Sequence, residues 1–379
     1  MVMAAPEGEL GRPRTLAEAK EWLRERLAKR IHPMGLTEPQ TTQDVIASLK
    51  GLDGENWARA WVAAGSRFFD AGEAMSRSGE KSAARDAYYQ AYAFYFLGRF
   101  PCPNHSAKEE SYRLELKAYE RYGALLDTPV QPIQIPFTAA GYDPAAIRFY
   151  LRTPSGIEKP PVVIMWGGVD AWKEEMTELS DSFISRGIAT IALDNVGTGE
   201  SPIKAKRDGE VQFFPVIDWV MRHPVLDGAR IALLGRSFGG HWATKLAHIR
   251  KDDFRCAVNW GGGVHFMFQP EWIEKSRYPD SYLMELVETR SRMLGAANDR
   301  EYAEGFRVLS LLDQGLLSQP CAPLLLVNGK EDKQCPIADI DLLLEHGSPK
   351  SVRLFPGGHM GFGPHTVPTI VDWVADKLQ

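Results

Sequence analysis

The chain has 379 residues, a net charge of −5, 44% hydrophobic and 25% charged residues. These are the proportions of an ordinary globular protein with length for a large core. They exclude a broad nucleic-acid-binding surface, which needs a basic face, and no window approaches the roughly 18 apolar residues of a membrane span. The four cysteines (Cys102, Cys256, Cys321, Cys335) form no C-x-x-C pair and no metal-site spacing, so they read as reduced thiols with no metal and no cofactor to hold. The N-terminus lacks the charged start and apolar core of a signal peptide, and the expected location is cytoplasmic.

Residues 1 to about 14 carry no pattern. From Thr15 to about Arg30, Leu16, Ala19, Trp22, Leu23 and Leu27 recur at helical spacing, with Thr15 and Glu18 placed for a capping box. A short helix is expected from about Thr42 to Leu49. A stronger one carries Trp57, Trp61, Ala64, Phe68, Ala71 and Met75 and breaks at Gly79. Another runs through Ala84, Tyr88, Ala91, Tyr92 and Tyr95 to Gly98, and the last from His105 to Gly123. This is a set of antiparallel helix pairs without a clear repeat. Its tyrosines are first of all packing residues, but a phenol has an apolar body and a polar tip, so Tyr88 and Tyr92 are also candidate substrate contacts.

At Asp127-Thr128-Pro129-Val130-Gln131-Pro132 the pattern changes, and 1–128 and 129–379 are the expected domains. Ile133–Phe137 and Ala146–Leu151 read as strands around a turn at Gly141. Pro161–Trp166, Ile188–Leu193, Arg255–Trp260, Ala322–Asn328 and Ser351–Phe355 are short, mostly apolar runs of the kind buried on both faces of a parallel sheet. Helical stretches alternate with them at about Lys173–Arg186, Val211–Arg222 and Pro368–Lys377. The expected fold is therefore α/β, a mostly parallel doubly wound sheet with an all-helical N-terminal domain. A helical insertion at about 264–318, patterned at Ser281–Leu294 and Glu301–Leu316, interrupts the alternation.

The chemistry points to Arg230–His241. Ile231-Ala232-Leu233-Leu234 forms a strand, Gly235-Arg236-Ser237-Phe238-Gly239 a tight turn, and a helix follows through Trp242 and Leu246. Strand, G-x-S-x-G, helix is the context of a nucleophile elbow. A serine hydroxyl needs a base to take its proton and a third group to orient that base. Both follow in the order Ser, Asp, His. Asp332 lies on the turn leaving the strand that ends at Asn328, with Glu331 its competitor. His359 lies in the glycine-rich loop after Phe355, with His365 its rival. The oxyanion donors are expected at the Phe238 N–H and in the Gly167-Gly168-Val169 turn, from Gly168 or Val169. Trp166, His265 and Phe266, at strand ends or just beyond, complete the expected substrate contacts.

Taken with Ser82-Ala83-Ala84-Arg85-Asp86-Ala87-Tyr88, Lys173-Glu174-Glu175 and Trp260-Gly261-Gly262, these motifs make the chain resemble one branch of the α/β-hydrolase superfamily. That branch includes 2,6-dihydroxypseudooxynicotine hydrolase, fungal polyketide-shortening pigment hydrolases and fermentation–respiration switch esterase-like proteins. The resemblance implies an α/β-hydrolase fold with the N-terminal helices as a cap, a site between cap and core, a small-molecule substrate and a homodimer. It implies cleavage of an ester of an apolar, aromatic substrate or, as the alternative, of a C–C bond beside a ketone. The C–C reaction needs an extra acid, for which Glu271 is a candidate and Gln269 a competitor for the position. A non-catalytic binding protein on the same fold is the remaining reading.

Overall fold

The computed structural model describes residues 11–346 and 348–379. The chain divides into two compact units, one of residues 11–131 with Tyr282–Thr289, the other of Pro132–Ser281 with Arg290–Gln379.

The first unit contains five helices: α1 (Leu16–Lys29), α2 (Pro39–Ser48), α3 (Gly54–Arg77), α4 (Lys81–Arg99) and α5 (Ser106–Ala124). At the start of α1 the capping box expected from Thr15 and Glu18 is formed. Helix α2 begins earlier than its apolar pattern suggests. The Glu38 carboxylate accepts from the Gln40 and Thr41 N–H groups, and Pro39 fits the first turn.

Close packing of α3 on α4 depends on two glycines. A Cβ on Gly65 would lie 2.7 Å from the Tyr95 ring, and one on Gly72 would lie 2.8 Å from the Tyr88 ring. Tyr88 is thus seated in the helix interface, and its hydroxyl donates to Glu73 at 2.8 Å. Tyr92, also buried, packs edge-on against Tyr119. Both tyrosines are packing residues of this unit.

Between α4 and α5 lies a wholly buried ion pair, Arg99 Nε to Glu115 Oε2 at 2.9 Å. The Arg99 guanidinium also sits over the Phe96 ring and donates to the Pro101 carbonyl.

Assigning Tyr282–Thr289 to the insertion of the α/β domain is corrected by the structure. This segment belongs to the helical unit, where Glu285 pairs with buried Lys108, Tyr282 stacks on Phe100, and Thr289 donates to the Cys102 sulfur. Local periodicity carries no information about such long-range partners.

The second unit is built on an eight-stranded sheet: β1 (Gln131–Phe137), β2 (Ala145–Arg152), β3 (Val162–Trp166), β4 (Ala189–Leu193), β5 (Ile231–Arg236), β6 (Cys256–Trp260), β7 (Leu324–Gly329) and β8 (Lys350–Phe355). Their order is β1-β2-β4-β3-β5-β6-β7-β8. β2 pairs antiparallel with β4, and from β4 to β8 every pairing is parallel. β3, β4 and β6 are buried along their whole length, which explains their unbroken apolar composition.

The helices of this unit are α6 (Thr177–Ile184), α7 (Phe214–Arg222), α8 (Gly239–Ile249), α9 (Pro270–Lys275), α10 (Leu286–Leu294, entering from the helical unit), α11 (Asp299–Arg307), α12 (Ala338–Glu345) and α13 (Thr366–Lys377). The sequence pattern does not announce helix α12, although parallel β7 and β8 require a crossover between them. Helix α11 starts at an Asn298 cap and stops at Arg307, short of the expected Leu316.

Cutting the Arg99–Glu115 pair leaves a buried guanidinium without its counter-charge, a change worth about 3–5 kcal/mol. Glu115→Ala should lower the urea midpoint of the helical unit accordingly, as followed by circular dichroism of the full chain.

Candidate active site

The parallel sheet delivers the ends of β3, β5, β6 and β7 to one side, where Trp166 pairs with Gly235, Arg236 with Trp260, and Trp260 with Val327. Ser237 is the first residue beyond β5, and its φ of 51° lies in the left-handed region that a serine seldom occupies. Two hydrogen bonds hold it there: its N–H donates to the Trp260 carbonyl at 2.7 Å, and its carbonyl accepts from the Gly240 N–H at 2.8 Å. The flanking glycines are sterically required. A Cβ on Gly235 would lie 2.1 Å from the Gly239 carbonyl oxygen, and one on Gly239 would lie 2.3 Å from that of Gly167.

Ser237 Oγ is 2.7 Å from His359 Nε2, and His359 Nδ1 is 2.8 Å from Asp332 Oδ2. The Asp332 carboxylate is embedded in donors: the Gln334 N–H at 2.7 Å, the Cys335 N–H at 3.1 Å and the Asn328 side-chain amide at 2.7 Å. Burial pushes its pKa up, but facing His359 and these donors outweigh burial, and the carboxyl is held below its ordinary range. Its competitor Glu331 is exposed, and so is His365 at the approach to α13.

Asn328, readable from the sequence only as the end of a strand, ties the loops of Asp332 and His359 together. While its amide donates to Asp332, its carbonyl oxygen accepts from the N–H groups of Gly329 and Met360, each at 2.8 Å. Met360 takes a φ of 66° directly after His359, and its carbonyl accepts from the Trp260 indole at 2.7 Å.

Beside Ser237 runs the loop after β3. A Cβ on Gly168 would lie 2.9 Å from Ser237 Cβ and 3.2 Å from its Oγ, so bare backbone abuts the hydroxyl. Among the described residues, the N–H groups of Gly168, Val169 and Phe238 donate to no protein acceptor. Backbone donors in this position are what a developing oxyanion needs.

The remaining expected contacts separate. Trp166 is wholly buried, and its indole donates to the Gly239 carbonyl at 2.8 Å, so it braces the elbow from beneath. His265 Nδ1 is 2.7 Å from the Ser310 hydroxyl, with the Gln269 amide at 3.2 Å. The buried Asp339 carboxylate fixes that turn by accepting from the N–H groups of His265, Phe266 and Met267. Phe266 is half-exposed against the His265 ring. Glu271 is exposed at the start of α9. Nothing in the sequence singles out Phe362. It is an exposed ring close to the base loop, 5.2 Å from the Trp260 ring.

His241 is buried among Phe238, Trp242 and Phe268, and burial pushes its pKa well below the ordinary value, keeping it neutral.

Asp332, Cys335 and His359 place ligand atoms within 4.8 Å of one another. In the observed arrangement, however, Asp332 and His359 hydrogen-bond to each other and the Cys335 sulfur lies 3.5 Å from Met267 Sδ. That fits a proton relay.

Behind the β3 loop sits a buried charge cluster. Lys173 Nζ lies 2.9 Å from Glu174, 2.9 Å from Asp194 and 3.0 Å from Glu200. Glu200 also pairs with Arg148, while Glu174 and Asp194 share the Lys173 ammonium. Burial first, with nearby Asp194 and Glu175 overcoming the pull of Lys173, pushes Glu174 up to about 7. With a folded value above its ordinary 4.5, Glu174 binds more proton in the folded state than in the unfolded one. Its stabilisation is therefore complete at low pH and is lost as pH rises through about 7. Glu174→Gln should flatten the fall in melting temperature between roughly pH 5 and pH 8. Asn328→Ala should lower kcat about 10²-fold through misplacement of the acid and base loops, with the fold intact by circular dichroism.

The family model for FrsA-like esterases matches residues 24–379 of the chain. Esterase FrsA of Photobacterium profundum is 23% identical over 348 residues, 90% of this chain and 81% of that protein. The α/β hydrolase ucsC of an Acremonium species is 28% identical over 238 residues, 57% of this chain and 48% of its own. Among solved structures, 2,6-dihydroxy-pseudo-oxynicotine hydrolase matches with a TM-score of 0.72 at 21% identity, covering 94% of this chain and 95% of that one. AbyA5 matches with a TM-score of 0.71 at 21% identity, covering 97% and 100%. These structures share the α/β-hydrolase fold with this chain.

Proposed function

Because the chain belongs to the FrsA-like esterase family, we propose that it is a serine hydrolase that cleaves the ester of an apolar, aromatic substrate through an acyl-enzyme at Ser237. The observation that carries the reading is the unbroken chain from Ser237 Oγ to His359 Nε2 at 2.7 Å and from His359 Nδ1 to Asp332 at 2.8 Å.

In this mechanism neutral His359 keeps its proton on Nδ1, where the N–H is hydrogen-bonded to the Asp332 carboxylate, and accepts the Ser237 proton at Nε2 as Oγ attacks the ester carbonyl. The imidazolium that forms faces a carboxylate already held in its charged form by three donors besides the imidazole. The oxyanion is received by the Phe238 N–H and by an amide of the Gly168–Val169 loop. His359 then gives its proton to the leaving alkoxide, and a water activated by the same imidazole releases the acid.

The exposed rings of Phe266 and Phe362 support an apolar acyl group. Ester cleavage is favoured over C–C cleavage because Glu271, the candidate extra acid, is exposed on α9 and Gln269 is engaged with His265. The proposal includes a small-molecule substrate and a homodimer, the latter resting on the family resemblance alone.

A fluorophosphonate probe should label the wild type at Ser237, and not Ser237→Ala, by mass spectrometry of tryptic peptides. Asp332→Asn should lower kcat on aryl esters about 10⁴-fold. Equal or faster turnover of aryl β-diketones than of aryl esters by the wild type would replace the ester reading with the C–C one.

A further inference from the structure

The oxyanion loop is held from behind by one buried amide. Asn195, the second residue beyond β4, is fully buried, and its side-chain N–H donates to the Gly168 carbonyl at 3.3 Å. The orientation of that amide is fixed, since its own oxygen accepts from the Val196 N–H at 2.9 Å. The Asn195 backbone is fixed as well: its carbonyl accepts from both the N–H and the hydroxyl of Thr198. Neighbouring Asp194 accepts from the Lys173 N–H, the Lys173 ammonium and the Glu200 N–H, so the turn beyond β4 is tied to the residues that follow the oxyanion loop.

The consequence follows from peptide planarity. The Gly168–Val169 bond is not among the cis peptides, and in a trans peptide the carbonyl and the next N–H point in opposite directions. A Gly168 carbonyl drawn toward Asn195 therefore turns the Val169 N–H the other way. Gly168 itself abuts Ser237, with room for no side chain between them. One residue on, the Val169 carbonyl is also occupied, accepting from the Trp172 indole at 3.1 Å. The carbonyl oxygens, which would repel an oxyanion, are thus both engaged by donors, and the amides of this loop are left open.

We propose that Asn195 is a positioning residue for the oxyanion hole: by holding the Gly168 carbonyl it keeps the Gly168–Val169 peptide with its N–H side toward the substrate carbonyl carried by Ser237. Asn195 acts through the loop and touches no substrate. The proposal rests on Ser237 being the nucleophile.

The test compares Asn195→Ala and Asn195→Asp with the wild type on an aryl ester. The second variant keeps the shape but sets a carboxylate against the Gly168 carbonyl. Loss of one oxyanion donor typically lowers kcat about 10²- to 10³-fold, and a misaligned donor should give about 10-fold or more in Asn195→Ala and a larger loss in Asn195→Asp, with KM changed less than about threefold. An aryl trifluoromethyl ketone, which forms an anionic tetrahedral adduct on the serine, should lose affinity in proportion to kcat/KM, whereas the matching secondary alcohol should bind all three proteins alike. Equal weakening of ketone and alcohol, or unchanged kcat in a folded Asn195→Ala, would overturn the positioning role. Fluorophosphonate labelling of the wild type keeps the two levels apart: an unlabelled wild type overturns the serine-hydrolase reading, while a labelled one with an indifferent Asn195 overturns this inference only.

Discussion

The backbone of Ser237 is the constraint on which the site depends. A left-handed φ is unfavourable for a residue with a side chain and persists only where its surroundings over-determine it. Here the Trp260 carbonyl and the Gly240 N–H hold its two peptide groups, and Gly235 and Gly239 allow the chain to fold back on itself without collision. The resulting turn joins β5 to α8 with Ser237 at its apex. The Trp166 indole then fastens the first turn of α8 to the end of β3. Movement at any of these contacts would shift Ser237 against His359, whose loop is held to the same Trp260 through its indole and the Met360 carbonyl.

Buried amides tie the other strand-end loops together. Asn328 connects the acid turn to the base loop, and Asn259 closes the turn after β6 by donating to Gly262 and Thr244 while accepting from the Gly262 N–H. Asn195 does the same between β4 and the loop after β3. An asparagine carries a donor and an acceptor in one rigid plane, so it can satisfy two loops at once without adding charge. At the ends of parallel strands, where backbone groups run out of ladder partners, such a group both meets the hydrogen-bond requirement and sets geometry.

Much of this is legible in the sequence, for identifiable reasons. Apolar runs mark the strands because β3, β4 and β6 are buried on both faces, and the capping box at Thr15 marks a helix start. Ser237, Asp332 and His359, which the structure brings within hydrogen-bonding distance of one another, are readable because each sits in its own strand-end loop with glycines nearby. What escapes lacks a local signal. Asn328 and Asn195 are polar residues just where apolar runs end, and the partners that matter, Met360 and Gly168, lie on other loops. Tyr88 shows the limit from the other side: a tyrosine on a helix face fits both a pocket and a helix interface, and only Gly72 on α3 decides between them. Trp166 is similar, since a strand-end indole can face a ligand or, as here, reach under an elbow.

Asn328 also carries a chemical hazard that the fold contains. It is followed by Gly329, and an asparagine before glycine is the pair most prone to lose its amide, because an unhindered glycine nitrogen can close on the side-chain carbonyl. In the folded chain both partners belong to β7, the side-chain amide is held by Asp332, and its oxygen is held by the Gly329 and Met360 N–H groups. The extended strand withholds the ring-closing geometry for as long as it persists. Once unfolded, the same dipeptide would age to aspartate or isoaspartate, and a refolding chain would then set a second carboxylate against Asp332. Folding preserves the covalent identity of the residue that links Asp332 to the loop of His359.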